Sequence, residues 1–414
     1  MKPQNLPETL IWYYIIYSYG IYLLGAQYVL SPLLATFLTC YLIKRWWDQT
    51  EETPSEDRVN ISPAIWIWIA GMLVIEVALI VGHVNFNESL SKIIISSLGW
   101  YRKWALLAMF PLVGHLNIRP KIIYRAVCIF CLQSLILIPF LYLAMILHLP
   151  NELYTSPLKI FKGPSSGYRI NLYHVDTAGQ TRLTLIAPWA PALGLLANIY
   201  LCIVLKETNK KWRHLGIAGA VAMSFVTVSR LSILALGFVP VVGWFLSNLA
   251  RPGIQLFAGV GSFMTGILST TLLSWLKSFK EAFHKMRPNS SNVRDTLEHI
   301  AVYRWKTEFP IWGRGTVGHL GPKLVEYMQI GSHHTWFGVL FHHGLVGFVG
   351  LLIPVLWSFI ELLVKAQRSK NAQVALNILI VMLLFTFAEN IETVAYLYWP
   401  GLVILGIAFK EPLT

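Results

Sequence analysis

The sequence predicts an all-α integral membrane protein, with about twelve transmembrane helices and a large helical outer loop before the tenth span. Three observations carry that reading. Apolar residues make up 55% of the 414-residue chain and charged residues only 13%, roughly half the charged share of a soluble globular domain. Mean hydropathy is +0.56, because apolar runs recur at close to the roughly twenty residues that cross a bilayer. The 16 Trp and 18 Tyr match the preference of such rings for membrane–water interfaces. One polytopic unit over residues 1–414 therefore replaces the two or three soluble domains that length alone would allow.

Taken in order, the apolar runs place spans at about 9–26, 28–44, 63–82, 98–116, 124–147, 184–205, 215–229, 231–249, 254–275, 336–364, 374–389 and 393–410. The first follows a short polar start with no small-residue cleavage site, so it reads as a span rather than a signal peptide. The seventh and eighth meet at Ser229 and Arg230 with no Gly or Pro to mark a turn. Charge argues for a break there. With it, the short loops around Lys44 and Arg45, Arg119 to Arg125, Lys206 to Arg213, Arg251 and Lys365 to Lys370 all face one side, which the positive-inside rule makes cytoplasmic. Both termini share that side. Arg230 then sits at the outer end of the seventh span, with Ser229 as N-cap of the eighth helix.

Two long segments, 148–183 and 276–335, lie outside in this topology. The second opens on the basic amphipathic stretch KSFKEAFHKMRP, which suits a headgroup layer. It continues into DTLEHIAVYRWKTEFP, a helix ended by Pro310. The net charge of +13 reads as topogenic loops rather than a nucleic-acid surface. Cys40, Cys128, Cys131 and Cys202 all fall in apolar runs, so they read as small packing residues and not as a disulfide framework.

Polar chemistry gathers where the stretch from Trp312 to Gly350 enters the tenth span. Gly313, Gly315 and Gly318 spell GxGxxG, but a dinucleotide site needs a βαβ unit around it. The glycines instead predict a turn at positive φ that offers its N–H groups to an anion. His333, His334, His342 and His343 crowd the start of the span. His334 and His342 stand about 12 Å apart along a helix, too far to share a zinc ion, and no Asp or Glu lies among them. No metal and no cofactor is predicted. His342 and His343 read as interior packing, whereas His333 and His334 lie at the wet boundary, where an imidazole can exchange protons.

Arg230 would cost about 2–3 kcal/mol at the bilayer centre and less near the interface, so it pairs, faces a cavity or snorkels. Arg169, Arg182, Arg287, Arg294, Arg304 and Arg314 also lie outside in this topology. Any one alone reads as a solvated surface charge; several converging would grip a lipid diphosphate. Glu389 and Glu392 flank the last outer turn, where they can cap helices, pair with arginines or orient a histidine. Glu76 lies inside the third span and faces protein or a cavity. No Walker A loop is present, which argues against the common ATPase classes.

Three pieces together resemble the O-antigen ligase and polymerase superfamily, integral membrane glycosyltransferases acting on undecaprenyl-diphosphate-linked glycans. They are SRLSILAL at Ser229 to Leu236, with Arg-x-x-x-Leu at Arg230 and Leu234; FPIWGRGTVG at Phe309 to Gly318; and HHTWFGVLFHHGLVG at His333 to Gly347. The match covers roughly residues 220 to 350. His333 takes the family's histidine, while His334 stands where the family has Asn. The resemblance implies metal-independent inverting transfer in a bacterial inner membrane, at a site facing the periplasm. His333 or His334 would be the base, and arginines drawn from Arg230, Arg304, Arg314, Arg287 and Arg169 would bind the diphosphate. The implied partners are an undecaprenyl-diphosphate-linked glycan, a lipid A-core or other glycan acceptor, and membrane lipids. The leading expectation is an O-antigen ligase; a polymerase and a protein-glycosylating relative share the same features. A transporter of lipid-linked sugar would spread charges along its spans, and few of these span interiors carry charge.

Overall fold

The computed structural model describes residues 1–412 apart from 55–57, 176–178, 286–287, 316–320 and 324–327. The chain is mostly helical. Helices α1 (Leu6–Ile16), α2 (Ser18–Leu23), α3 (Gln27–Trp47), α4 (Pro63–Asn85), α5 (Leu90–Tyr101), α6 (Leu106–Val113) and α7 (Pro120–Ile146) lead into two short antiparallel hairpins. These pair β1 (Glu152–Thr155) with β2 (Arg169–Asn171), and β3 (His174–Val175) with β4 (Thr181–Arg182). Then come α8 (Ala190–Val204), α9 (Lys210–Val226), α10 (Arg230–Leu246), α11 (Pro252–Ile267), α12 (Ser269–Lys285), α13 (Pro288–Glu308), α14 (Thr335–Lys365), α15 (Lys370–Thr386) and α16 (Ala395–Lys410). The hairpins in the segment 148–183 are an addition to the all-α expectation.

Among the described residues, four helical stretches are long and apolar enough to cross a membrane: α4, α7, α14 and Ile391–Lys410, which contains α16. A fifth is obtained if α11 and the start of α12, bent by 81°, are counted as one. Helices α8, α10 and α15 are apolar but shorter. Every predicted apolar run holds helix, but four are interrupted, among them 336–364, which leaves helical geometry at Gly344. The run 98–116 is not one helix: α5 stops at Tyr101 and α6 starts at Leu106, with Trp100 Nε1 donating to Met72 O (3.0 Å) to hold the end of α5 against α4. The run 9–26 breaks at Tyr17, and 254–275 bends at Leu268. Short turns inside apolar runs are invisible to a hydropathy window, which averages across them.

The core sits around α16, whose residues Ala395 to Phe409 are all buried. A helix apolar all round belongs in such a position. Helix α14 runs along α4, where two glycines let the backbones close: a Cβ on Gly71 would lie 2.3 Å from Gly350 O. Small residues serve the same end between membrane helices generally. Ser229 caps α10 by accepting from Ser232 N, so the break between α9 and α10 is real.

Helix α14 is two half-helices broken at Gly344 (φ 63°, ψ −163°), a conformation essentially confined to glycine. The break frees backbone groups that must be paired, and the preceding loop pairs them. Arg314 N and Gly315 N donate to Phe341 O and His342 O (both 2.9 Å), while Leu345 N and Val346 N donate to Pro310 O and Ile311 O (2.9 and 3.1 Å). The turn at Gly313 and Gly315 does take positive φ (71° and 79°). Its N–H groups, however, are spent on helix carbonyls and not offered to an anion; Gly318 lies outside the described residues.

Polar contacts sort the loops into two ends. Arg119 pairs with Glu8 (2.6 Å) and Arg125 with Glu207 (2.9 Å). Lys206 Nζ reaches Gln373 Oε1 (3.2 Å), Tyr124 OH reaches Asn371 Oδ1 (3.1 Å), and Asn371 Nδ2 reaches Glu411 Oε1 (2.7 Å). Residues near both chain ends thus join the short basic loops at one end of the bundle. Parts of both long segments, at Pro164, Ser166 and Met328 to His333, meet in the wall of one cavity.

Candidate active site

Two turns are zipped together to form the floor of that cavity. Thr335 Oγ1 donates to Glu389 O (2.6 Å) and accepts from Ile391 N (3.2 Å). Asn390 Oδ1 accepts from His334 N (3.2 Å), and Asn390 Nδ2 donates to Gly331 O (3.0 Å). The turn before α14 and the turn before α16 are therefore one polar unit, although more than fifty residues separate them in sequence.

The two boundary histidines part company here. His334 is the N-cap of α14: its Nδ1 accepts from Phe337 N (3.4 Å), and its ring packs on those of Phe337 and Phe387. It does not line the cavity. His333, at φ 66°, occupies a left-handed conformation that non-glycine residues seldom adopt, and it does line the cavity. Burial pulls the pKa of both imidazoles down to about 4, with the positive charge of Arg294 adding to the effect at His333. Each is neutral at physiological pH.

Glu389, only 3% exposed, lines the same cavity as His333. Its Oε2 accepts from Trp189 Nε1 (2.9 Å), and its Oε1 faces the Arg294 guanidinium at 3.7 Å. Burial raises its pKa to about 6 against the opposing pull of Arg294 and Trp189. The cavity these groups share has a volume of about 650 Å³ and is walled by Trp100, Trp104, Trp189 and Tyr396, with Lys103, His342, His343 and Glu392 deeper in the wall. Pockets of about 300–1,000 Å³ with apolar or aromatic walls and a few convergent polar groups are typical ligand sites. Among the described residues no three His, Cys, Asp or Glu side chains come together in a way that could hold a metal ion.

The expected arginines are dispersed. Arg304 is held by Glu308 through two bonds (2.8 and 2.7 Å) and lies over the Phe309 and Phe341 rings. Arg314 pairs with Glu88 (3.2 Å) and stacks on Phe86 at 4.0 Å, fastening the loop to the end of α4. Arg169 faces Glu152 (3.7 Å) across the first hairpin. Arg230 opens α10, and none of the four lines the cavity; Arg287 lies outside the described residues. The structure thus does not gather these arginines, because local carboxylates already hold Arg304, Arg314 and Arg169. The Arg304–Glu308 pair sits at i,i+4 spacing, a signal present in the sequence. The cations it does bring to the site are Arg294 and Lys103. Trp189 and Lys103 carried no sequence signal, and His342 and His343, expected as packing, share the cavity wall.

The fold and site define a helical protein with helices fit to cross a membrane and an aromatic-walled polar cavity at one end. No protein-family model and no curated protein matches the chain.

Proposed function

We propose that the protein is an integral membrane glycosyltransferase that moves a glycan from undecaprenyl diphosphate to an acceptor sugar, as an O-antigen ligase does with lipid A-core. The observation that carries this reading is the meeting of His333 and Glu389 in an aromatic-walled cavity at the end of the bundle away from the basic loops. Twelve passes with both termini cytoplasmic would turn this cavity to the periplasm, where the lipid-linked donor carries its own leaving group.

In the reaction the acceptor oxygen attacks the anomeric carbon and the bond from that carbon to the diphosphate oxygen breaks. The hydroxyl proton passes to a base in the cavity, and the electron pair leaves with the diphosphate. His333, neutral and in the cavity wall, is the base the resemblance implies. Arg294, with its side chain 34% exposed, is the cation assigned to the growing charge on the leaving group; Arg230, which the resemblance implies for the same role, opens α10 outside the cavity wall. Aromatic walls suit the apolar faces of sugar rings and exclude water that would hydrolyse the donor.

Reconstitution in vesicles with undecaprenyl-diphosphate glycan and each acceptor in turn tests the proposal. Glycosylated lipid A-core is the expected product. A doubled lipid-linked glycan would make the protein a polymerase, and a glycosylated peptide a protein-glycosylating relative. Movement of the donor across the bilayer without any new glycosidic bond would replace the enzyme reading with transport.

A further inference from the structure

The deep wall of the cavity holds polar groups that the transfer step does not use. Glu392 is 6% exposed, yet its Oε2 has no hydrogen-bond partner; the carboxyl is met by its own backbone N–H and by a long bond from Asn390 Nδ2 to Oε1 (3.3 Å). His343 is 3% exposed, and its Nδ1 likewise has no partner. Lys103 lines the same region and interacts electrostatically with Glu392. Buried polar atoms left unpaired are costly, and atoms bordering a cavity can find their partners on a ligand.

The sign of the charges selects the ligand. Two carboxylates, Glu389 and Glu392, line the cavity against one lysine, and Arg294 is already set against Glu389. A phosphate buried here would meet carboxylate repulsion. A hydroxyl, by contrast, donates to a carboxylate oxygen while accepting from an ammonium, so adjacent hydroxyls of a sugar ring satisfy the Glu392–Lys103 combination. Trp104 is set edge-on to His343 (5.8 Å between centroids, 87°), and Trp100 is fixed by its bond to Met72 O. Both indoles are thereby preorganised as cavity walls.

We propose that Glu392, Lys103 and His343 form a subsite for the hydroxyl groups of a neutral sugar ring, and that the lipid diphosphate stays at the cavity rim near Arg294. The choice of a sugar as ligand rests on the glycosyl-transfer reading above. Glu392 and Lys103 are then specificity-determining residues that take no part in forming the bond.

Calorimetric titration of the full-length protein in detergent with methyl glucoside, methyl galactoside and methyl N-acetylglucosaminide provides the test, with inorganic diphosphate as competitor. At least one glycoside should bind saturably, and diphosphate should leave that binding unchanged. Glu392→Gln and Lys103→Met should each weaken it by about tenfold or more, since each removes a hydrogen bond to a charged group. Unchanged thermal midpoints would certify both variants as folded, and an unfolded one is replaced by Glu392→Asp or Lys103→Arg with the same expectation of weakened binding. The subsite is overturned if no glycoside binds, if folded variants bind like the parent, or if diphosphate displaces the sugar. Transfer in vesicles is scored separately on the same preparation: loss of the subsite with transfer intact sinks this inference alone, whereas absent transfer sinks the enzymatic reading.

Discussion

Helix α14 carries buried polar groups at both ends, and the two ends treat them differently. Near its C-terminus Lys365 donates to Glu361 Oε1 (2.7 Å) and to the last carbonyls of α16, at Phe409 O (2.9 Å) and Ala408 O (3.4 Å), while Glu361 Oε2 accepts from Trp357 Nε1 (2.8 Å). This cluster spends its charge on the protein, tying α14 to α16. Around the N-terminal half, Glu392 Oε2 and His343 Nδ1 have no such partner, and the backbone is bent out of helix at Gly344. The difference teaches that charge inside an apolar chain is no sign of function by itself. What distinguishes the ends is whether the polar atoms are already satisfied.

Two substitutions should pull the ends apart. The larger effect is expected at the cavity: His333→Ala should lower transfer in vesicles by about 10²–10⁴-fold, the range for a lost general base, with unchanged yield and thermal midpoint. Its neighbour is the control. His334→Ala removes an N-cap, worth about 1 kcal/mol of stability, and should leave transfer per folded molecule alone; the reverse pattern would make His334 the base. At the other end, Lys365→Met strands Glu361 without its buried partner and should cost about 3–5 kcal/mol, seen as a lower unfolding midpoint in detergent. Whatever protein remains folded should transfer at the parental rate. A Lys365→Met protein that is stable but inactive would erase the distinction between the ends.

Much of the fold was legible because helices in this chain follow simple apolar runs, and the Ser229 cap could be read from residue type alone. Interruptions were not. The break at Gly344 depends on backbone groups of Pro310 to Gly315 filling the gap, a long-range pairing that leaves no trace in periodicity. At the site, the passage from polar turn to apolar helix pointed to His333 and His334, but only packing on Phe337 and Phe387 separates them. The partners of the arginines were not legible either: a guanidinium is counted from sequence as available, while Glu308, Glu88 and Glu152 face Arg304, Arg314 and Arg169. Lys103 was missed because it lies within an apolar run that reads as an uninterrupted span. His343 was read as packing because periodicity cannot tell a wall facing a cavity from one facing protein.

The smallest predicted effect sharpens the comparison within the cavity itself, between its two proton acceptors. A base must be unprotonated to act, so transfer falls as pH drops through the pKa of whichever group takes the proton. His333, held at about 4, is already deprotonated from pH 5 to 8 and predicts a flat kcat/KM over that range. Glu389, raised to about 6, would instead give a fall of about tenfold between pH 7 and pH 5. A flat profile therefore assigns the proton to His333, with Glu389 and Arg294 as a positioning pair. A midpoint near 6 that disappears in Glu389→Gln would transfer the role to the carboxylate. In that case the raised pKa has a direct use: burial, outweighing the opposing pull of Arg294 and Trp189, makes a carboxylate basic enough to compete with an imidazole that burial has weakened.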